Sequence, residues 1–452
     1  MWIERPNKKA NFINALLGVK DQVLIVRGAR QVGKTSFILN ALNQLNDHPQ
    51  LKLNLLYPSS FKIEGIDYLG RDFLGKSETG EDLLKNIETE LGGGKGLQRP
   101  ALIFVDEADR YPQALEFIQT LAQFSDKLKF VFTGSNLENV RLKNAATGRK
   151  KHFDLYPITF REFLNASGDE KLCKYLEEIS LTKGSFSDFY HKRLSELQNI
   201  YIRVGGMPKV VAAYLEPAKR GELPEIIKDL AFSIEENVKT VLGEKSKLYE
   251  YEDVLRKIAF LSMNTLKFSH LQVQHAGRSE AKQLVAKSVG ARVVHKIRLF
   301  DSENDLSKYM IFDCGIANYL INGSDVLKTA LDERSAGILY ETFAGAELIA
   351  GLLTRDDLLY WKSENKAEVE FFLRSPCAGI DVKTKGGNIR SLNSLALVEP
   401  SISYLIKVYD GQPQLDRNHI AKLPTSDNER KIPLISIPHY LVCRISELIE
   451  EK

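Results

Sequence analysis

The stretch "QVLIVRGARQVGKTSFILNALNQL", residues 22–45, leaves few folds open. Its β-branched start predicts a short strand, and Phe37, Ile38, Ala41, Leu42 and Leu45 recur at helical spacing. Between them, residues 28–35 read G-x-x-x-x-G-K-[ST]. Gly28 and Gly33 let backbone N–H groups close around phosphates, Lys34 sets a charge against the terminal ones, and Thr35 offers a hydroxyl to magnesium. The expected nucleotide-binding residues are therefore Gly28, Ala29, Arg30, Gln31, Val32, Gly33, Lys34, Thr35 and Ser36, with ATP and Mg²⁺ as cofactors. A glycine-rich turn before an ordinary helix is the plain alternative, and the strand ahead of the loop weighs against it.

Such a loop needs a second buried strand ending in acid, and "ALIFVDEAD" supplies one. Asp106 is expected to hold the magnesium through its water shell, and Glu107 to position and activate the attacking water. A further strand, "LKFVFTGSN", ends in Thr133, Ser135 and Asn136. Asn136 is the candidate γ-phosphate contact there, although turn chemistry favours the same residue types. Arg149 is the candidate arginine for transition-state charge, acting in cis or from a neighbouring copy. Arg141, Lys143, Lys150 and Lys151 crowd its segment, so a solvated basic loop is an equal reading.

Taken together, "RGARQVGKTS", "FVDEAD", "FTGSN" and "TGRKKHFDLYPITFREFL" resemble the prokaryotic AAA-type ATPases that carry a domain of uncharacterised function and a restriction-endonuclease-like domain behind the ATPase. The resemblance extends over nearly the whole chain. It implies a five-stranded parallel sheet of the P-loop NTPase kind with an added catalytic glutamate.

At 452 residues the chain is too long for one core. The expected fold class is α/β. A P-loop ATPase domain is placed at 1–165, a helical linking region at 166–250, a winged helix at 251–325 and a PD-(D/E)xK nuclease-like domain at 326–452. Composition, 43% hydrophobic and 27% charged, argues against global disorder. A net charge of +3 leaves any DNA surface to a local patch. Cys173, Cys314, Cys377 and Cys443 stand far apart with no C-x-x-C spacing, which indicates neither a zinc knuckle nor a disulfide framework. No apolar run reaches the roughly 18 residues of a membrane helix, and no signal-like segment opens the chain. A cytoplasmic protein without a membrane partner is expected, with DNA and further copies of the chain as candidate partners.

In the middle region, "VGGMPKVVAAYLE" reads as a tight turn seating a helix. Residues 252–313 read helix, helix, helix, hairpin, the order of a winged helix. Arg278, Lys282 and Lys287 lie on the helix that would enter a groove. The acidic hairpin tip "DSEND" would repel phosphate, which favours a structural or regulatory spacer.

The C-terminal region opens with "SAGILYETFAGAELIAGLLT", a helix apolar almost all round, in which buried Glu341 and Glu347 each need a partner. In the strand "AEVEFFL", alternation puts Glu368 and Glu370 on one face and Val369, Phe371 and Leu373 on the other. A turn at "RSPCAG" leads to "GIDVKT" and brings Glu370 opposite Asp381. Two strand carboxylates, a helix carboxylate and Lys383 resemble the PD-(D/E)xK nuclease superfamily. The resemblance assigns Glu341, Glu370, Asp381 and Lys383 to the site, with Glu370 and Asp381 as ligands of Mg²⁺ or Mn²⁺. Glu370 stands where related sequences usually have Asp, and Asp381 where they usually have Glu. The expected protein is an ATPase coupled to a nuclease-like domain acting on or binding DNA. The rival is an ATP-driven switch or scaffold whose nuclease-like domain only binds.

Overall fold

A computed structural model describes residues 2–18, 23–75, 77, 79–91, 99–111, 127–134, 150–182, 186–242, 248–266, 271, 278–302, 306–324, 326–327, 331–352, 355–364, 367–424 and 427–450. They form two compact units, residues 4–156, and residues 157–452 with 1–3.

In the first unit, β1 (Val23–Arg27), β2 (Gln50–Asn54), β5 (Ala101–Asp106), β6 (Leu128–Thr133) and β7 (Lys150–Asp154) make a parallel sheet in the order β2-β5-β6-β1-β7. The short pair β3 (Phe61–Ile63) and β4 (Ile66–Tyr68) forms a separate hairpin. β5 is buried along its whole length, which is why it reads as an unbroken apolar run rather than an alternating one. Leu53, Ile103, Val105 and Phe132 pack with Leu83 and Ile87 of helix Gly80–Glu90. A second group joins Phe12 of helix Pro6–Gly18, Phe37 of helix Lys34–Leu42 and Phe153 of β7, with ring centroids 5.4 to 6.0 Å apart. Burying a phenylalanine of this kind contributes about 2–3 kcal/mol. The result is a rigid sheet whose β1 and β5 ends carry the loop and the acids.

The second unit begins with helices Phe160–Ala166, Glu170–Glu178, Asp188–Val204, Pro208–Leu215 and Leu223–Leu242. Gly205, with φ 75°, turns the chain between the third and fourth of these. Buried Asp313 holds the turn from across the unit. It accepts from Gly206 N at 2.7 Å and from Ile316 N at 2.9 Å, capping helix Cys314–Asn322 with its second oxygen. A side chain at Gly205 would put its Cβ 2.3 Å from Asp313 Oδ1. The glycine-proline element is thus a structural joint.

Helices Leu248–Phe260 and Arg278–Gly290 precede the antiparallel pair β8 (Val294–Leu299) and β9 (Ser307–Ile311). β8 also pairs in parallel with β10 (Leu358–Lys362), so the hairpin is part of a larger sheet. The sheet continues through β11 (Glu368–Leu373), β12 (Ala378–Val382), β13 (Tyr404–Tyr409), β14 (Gln414–Asp416) and β17 (Leu434–Pro438). Its order is β14-β17-β13-β12-β11-β10-β8-β9. β15 (Ile420–Lys422) and β16 (Glu429–Lys431) pair separately. Helix Glu333–Gly351 lies against this sheet, with Gly345 packed so closely that a Cβ there would stand 2.5 Å from Met310 Sδ and 2.9 Å from Phe371 Cζ. Helix Arg390–Val398 brings Leu392 and Leu395 against Val369, Phe372 and Leu405.

Strict alternation does not hold along β11. The pairing of β10 and β11 shifts by one residue between Leu359 and Trp361, the mark of a bulge. Phe371 therefore meets helix Glu333–Gly351, while Val369 packs with Leu392 and Leu395 of helix Arg390–Val398. The extra residue falls beside Glu370.

Candidate functional site

In the first unit, Gly33 adopts φ 86° and Gln31 φ 64°, which curls the loop back onto the start of helix Lys34–Leu42. A Cβ on Gly28 would stand 2.3 Å from the Leu155 carbonyl oxygen, so the position admits only glycine. Ala29 and Val32 are buried, Arg30 is half-buried, and Gln31 and Ser36 are exposed. Lys34 is buried and donates to the Gly28 and Ala29 carbonyls, both at 3.0 Å. Burial lowers its pKa to about 8 against the pull of Glu107, Asp106 and Asp109.

Asp106 ends β5 with its carboxylate facing the loop. It accepts from Thr35 Oγ1 at 3.1 and 3.3 Å, from Glu107 N at 3.0 Å and from Asn54 Nδ2 at 3.5 Å. Burial, then the neighbouring Glu107, pushes its pKa up to about 6. Glu107 takes φ 51°, an uncommon conformation for a non-glycine residue, and lies 3.7 Å from Arg110 Nε. Thr133 is buried and gives its hydroxyl to the Val26 carbonyl at 3.2 Å. Asn136 and Arg149 lie outside the described residues, as do Ser135, Arg141 and Lys143.

In the second unit, β11 and β12 pair from Phe371↔Ile380 to Leu373↔Ala378, and just beyond this register Glu370 Oε2 accepts from Val382 N at 3.4 Å. Lys383 Nζ donates to Asp381 Oδ1 at 2.6 Å and stands 4.0 Å from Glu370 Oε1. Asp381 is fully buried, and its Oδ2 has no hydrogen-bond partner. Burial and contact with Asp381 hold the Glu370 carboxyl well above the usual carboxylate range. Glu341 reaches the same cluster from helix Glu333–Gly351. Its pKa is pushed up to about 7 by burial, against the pull of Lys308 and Lys383. Glu347 lies elsewhere and accepts from Phe160 N at 2.8 Å. Among the described residues, no three His, Cys, Asp or Glu side chains form a ready-made metal cage.

The donor sets still suit a divalent ion of particular kinds. Magnesium keeps several waters and commonly takes one or two protein oxygens plus phosphates, which the converging Thr35 hydroxyl and Asp106 carboxylate match. At the second cluster Lys383 already pairs with Asp381, and Glu370 is held toward its neutral form, so a divalent ion would have to displace the lysine or the proton.

Residues 20–164 match the family described as an AAA domain. The AAA domain accounts for the loop, the acid pair and the parallel sheet, and it implies nucleotide binding. Two curated relatives are similar to the chain. One is an uncharacterized protein of Methanocaldococcus jannaschii, 23% identical over 198 residues, covering 42% of this chain and 38% of the relative. The other, an uncharacterized protein of Haemophilus influenzae, is 22% identical over 229 residues, 50% of this chain and 49% of the relative. The chain thus spans less than half the length of each. Among solved structures, the Pif1 helicase from Candida albicans is similar at TM-score 0.26 and 16% identity, over 42% of this chain and 47% of that one. The Drosophila ORC bound to DNA is similar at TM-score 0.25 and 14% identity, over 67% and 91%. Among the described residues, no helix is long and apolar enough to cross a membrane.

Several residues at these sites escape sequence reasoning. Asn54 meets Asp106 only because β2 and β5 pair in the register Asn54↔Asp106, and beyond the AAA domain's strand pattern nothing marks it. Lys308 is 1% exposed on β9, ion-paired to Glu368, with its ammonium 4.7 Å from the Tyr360 ring centre. A lysine at the head of the run "KYMIFD" was its one available signal. His439 accompanies Lys383 across the sheet. Of the groove-helix residues, Lys282 is exposed and Lys287 half-buried.

Proposed function

We propose that the chain is a Mg²⁺-dependent ATP-binding and ATP-hydrolysing protein whose nucleotide state is coupled to a nuclease-like domain acting on DNA. The contact between Thr35 and Asp106, beside a buried Lys34, carries the first half of this reading. On nucleotide entry Lys34 would leave the Gly28 and Ala29 carbonyls for the terminal phosphates, and the loop N–H groups would take the remaining phosphate oxygens. Thr35 and Asp106 would hold the magnesium, directly or through its waters. That ion neutralises phosphate charge when bound. Glu107 would orient the attacking water, with Asn136 at the γ-phosphate and Arg149 answering the charge of the transition state.

The second half rests on the carboxylate cluster. Glu370 and Asp381 would hold Mg²⁺ or Mn²⁺, Glu341 would close the cluster from the helix, and Lys383 would lie beside the scissile phosphate. A divalent ion there lowers the cost of forming hydroxide. Steady-state ATP hydrolysis by wild type, Lys34→Ala and Glu107→Gln tests the first half; equal turnover in all three would remove it. For the second, DNA is incubated with Mn²⁺ or Mg²⁺ and wild type or Lys383→Ala. Cleavage by wild type that the substitution abolishes is the expected result.

A second reading, an ATP-driven switch or scaffold whose nuclease-like domain only binds DNA or protein, is favoured by one observation. The carboxyls already share an internal cation, Lys383, and form no three-acid cage. DNA affinity that changes with nucleotide, without cleavage, would select it.

A further inference from the structure

We infer that His439 is a positioning residue for the carboxylate cluster, tying the strand that carries Asp381 and Lys383 to the helix that carries Glu341. Its functional meaning rests on the nuclease-like reading above; its geometry does not. Lys383 stands one residue beyond the end of β12. Its N–H still reaches the Val408 carbonyl of β13 at 2.8 Å. Its carbonyl is met instead by His439 Nε2 at 2.8 Å. A carbonyl only accepts, so Nε2 carries the proton. The buried ring is neutral near physiological pH, because desolvation lowers its pKa to about 4.

His439 also contacts the helix. Its ring centre lies 4.4 Å from that of Tyr340, the residue immediately before Glu341, and the Tyr340 hydroxyl is fixed to Asn199 Oδ1 at 2.6 Å. His439 itself follows directly on β17, which pairs with β13, the neighbour of β12. One imidazole thus bridges two elements that share no backbone pairing.

Such a bridge matters because a lysine side chain has four rotatable bonds and finds its carboxylate only if its backbone is held. Residues 385–388, just past Lys383, are exposed. Without the His439 bond, the Lys383 carbonyl would be the point at which the strand frays toward that loop. Supporting contacts one layer behind a site commonly change its affinity or rate by about 10–100-fold when removed.

The experiment compares wild type with His439→Gln, which keeps an N–H donor, His439→Phe, which keeps the ring and loses the donor, and Tyr340→Ala, which removes the ring contact. Competitive acetylation, read by mass spectrometry, measures the reactivity of Lys383 Nζ against that of exposed Lys385. The expected result is Lys383 labelling raised about fivefold or more in His439→Phe and in Tyr340→Ala and close to wild type in His439→Gln. Unchanged labelling in His439→Phe, or in Tyr340→Ala if His439→Phe does not fold, overturns the inference. A rise in His439→Gln equal to that in His439→Phe also overturns it, since the donor would then be irrelevant. Mn²⁺-dependent DNA cleavage is followed in parallel, with kcat expected to fall about 10–100-fold in His439→Phe at little-changed KM. If wild type cleaves no DNA while labelling behaves as expected, the nuclease-like reading falls and the positioning role of His439 stands.

Discussion

Thr35 Oγ1 lies 3.1 Å from Asp106 Oδ2, so the hydroxyl closing the phosphate-binding loop and the carboxylate closing β5 are in direct contact. Thr35→Val keeps the shape and removes the hydroxyl. Nucleotide binding without magnesium should stay within about threefold of wild type, while magnesium-dependent hydrolysis falls by about 10²-fold. Fluorescent-nucleotide titration with and without Mg²⁺, beside a phosphate-release assay, separates the two effects.

The same aspartate sets a pH dependence. Its folded-state pKa of about 6 lies above the ordinary 3.8, so the folded state holds this proton more tightly than the unfolded chain. The stabilisation is fully present below the ordinary value and is lost as pH rises through about 6, with a ceiling of roughly 3 kcal/mol. Nucleotide-free Asp106→Asn should therefore melt above wild type near neutral pH, with the gap closing toward about pH 4. Melting curves that coincide near neutrality would refute this.

Asp313 accepts from the Gly206 and Ile316 backbone N–H groups, both in a buried joint. Asp313→Ala strands both and should cost about 2–4 kcal/mol. Gly205→Ala should be costly for a different reason, the clash and the left-handed backbone. Denaturant unfolding followed by far-UV circular dichroism reports both losses.

Lys308 shares Glu368 with Lys362, which lies 2.9 Å from the second carboxylate oxygen. Lys308→Met leaves that carboxylate one partner and partial access to water. The cost should be about 1–3 kcal/mol, short of that for a wholly orphaned charge. A thermal midpoint equal to that of wild type would show that the buried ammonium adds nothing net.

The strand–loop–helix run and "ALIFVDEAD" were legible because parallel strands buried on both faces appear as unbroken apolar runs, and a phosphate loop demands glycines at set places. The antiparallel hairpin of β11 and β12 was also readable, since a short turn joins two apolar strands. The facing of Val369 and Phe371 was not. A bulge adds one residue to one strand, and its position depends on how β10 packs rather than on β11's own pattern. Asn54, Lys308 and His439 come to their partners through pairings between distant segments, for which local periodicity holds no record.

The parallel pairing of β8 with β10 limits how the protein can be taken apart. A fragment ending near residue 325 would present β8 with its ladder groups open, and one beginning there would do the same at β10. Each would offer an unpaired strand edge to any other chain, so aggregation is the expected fate of both halves. The second unit is best expressed whole.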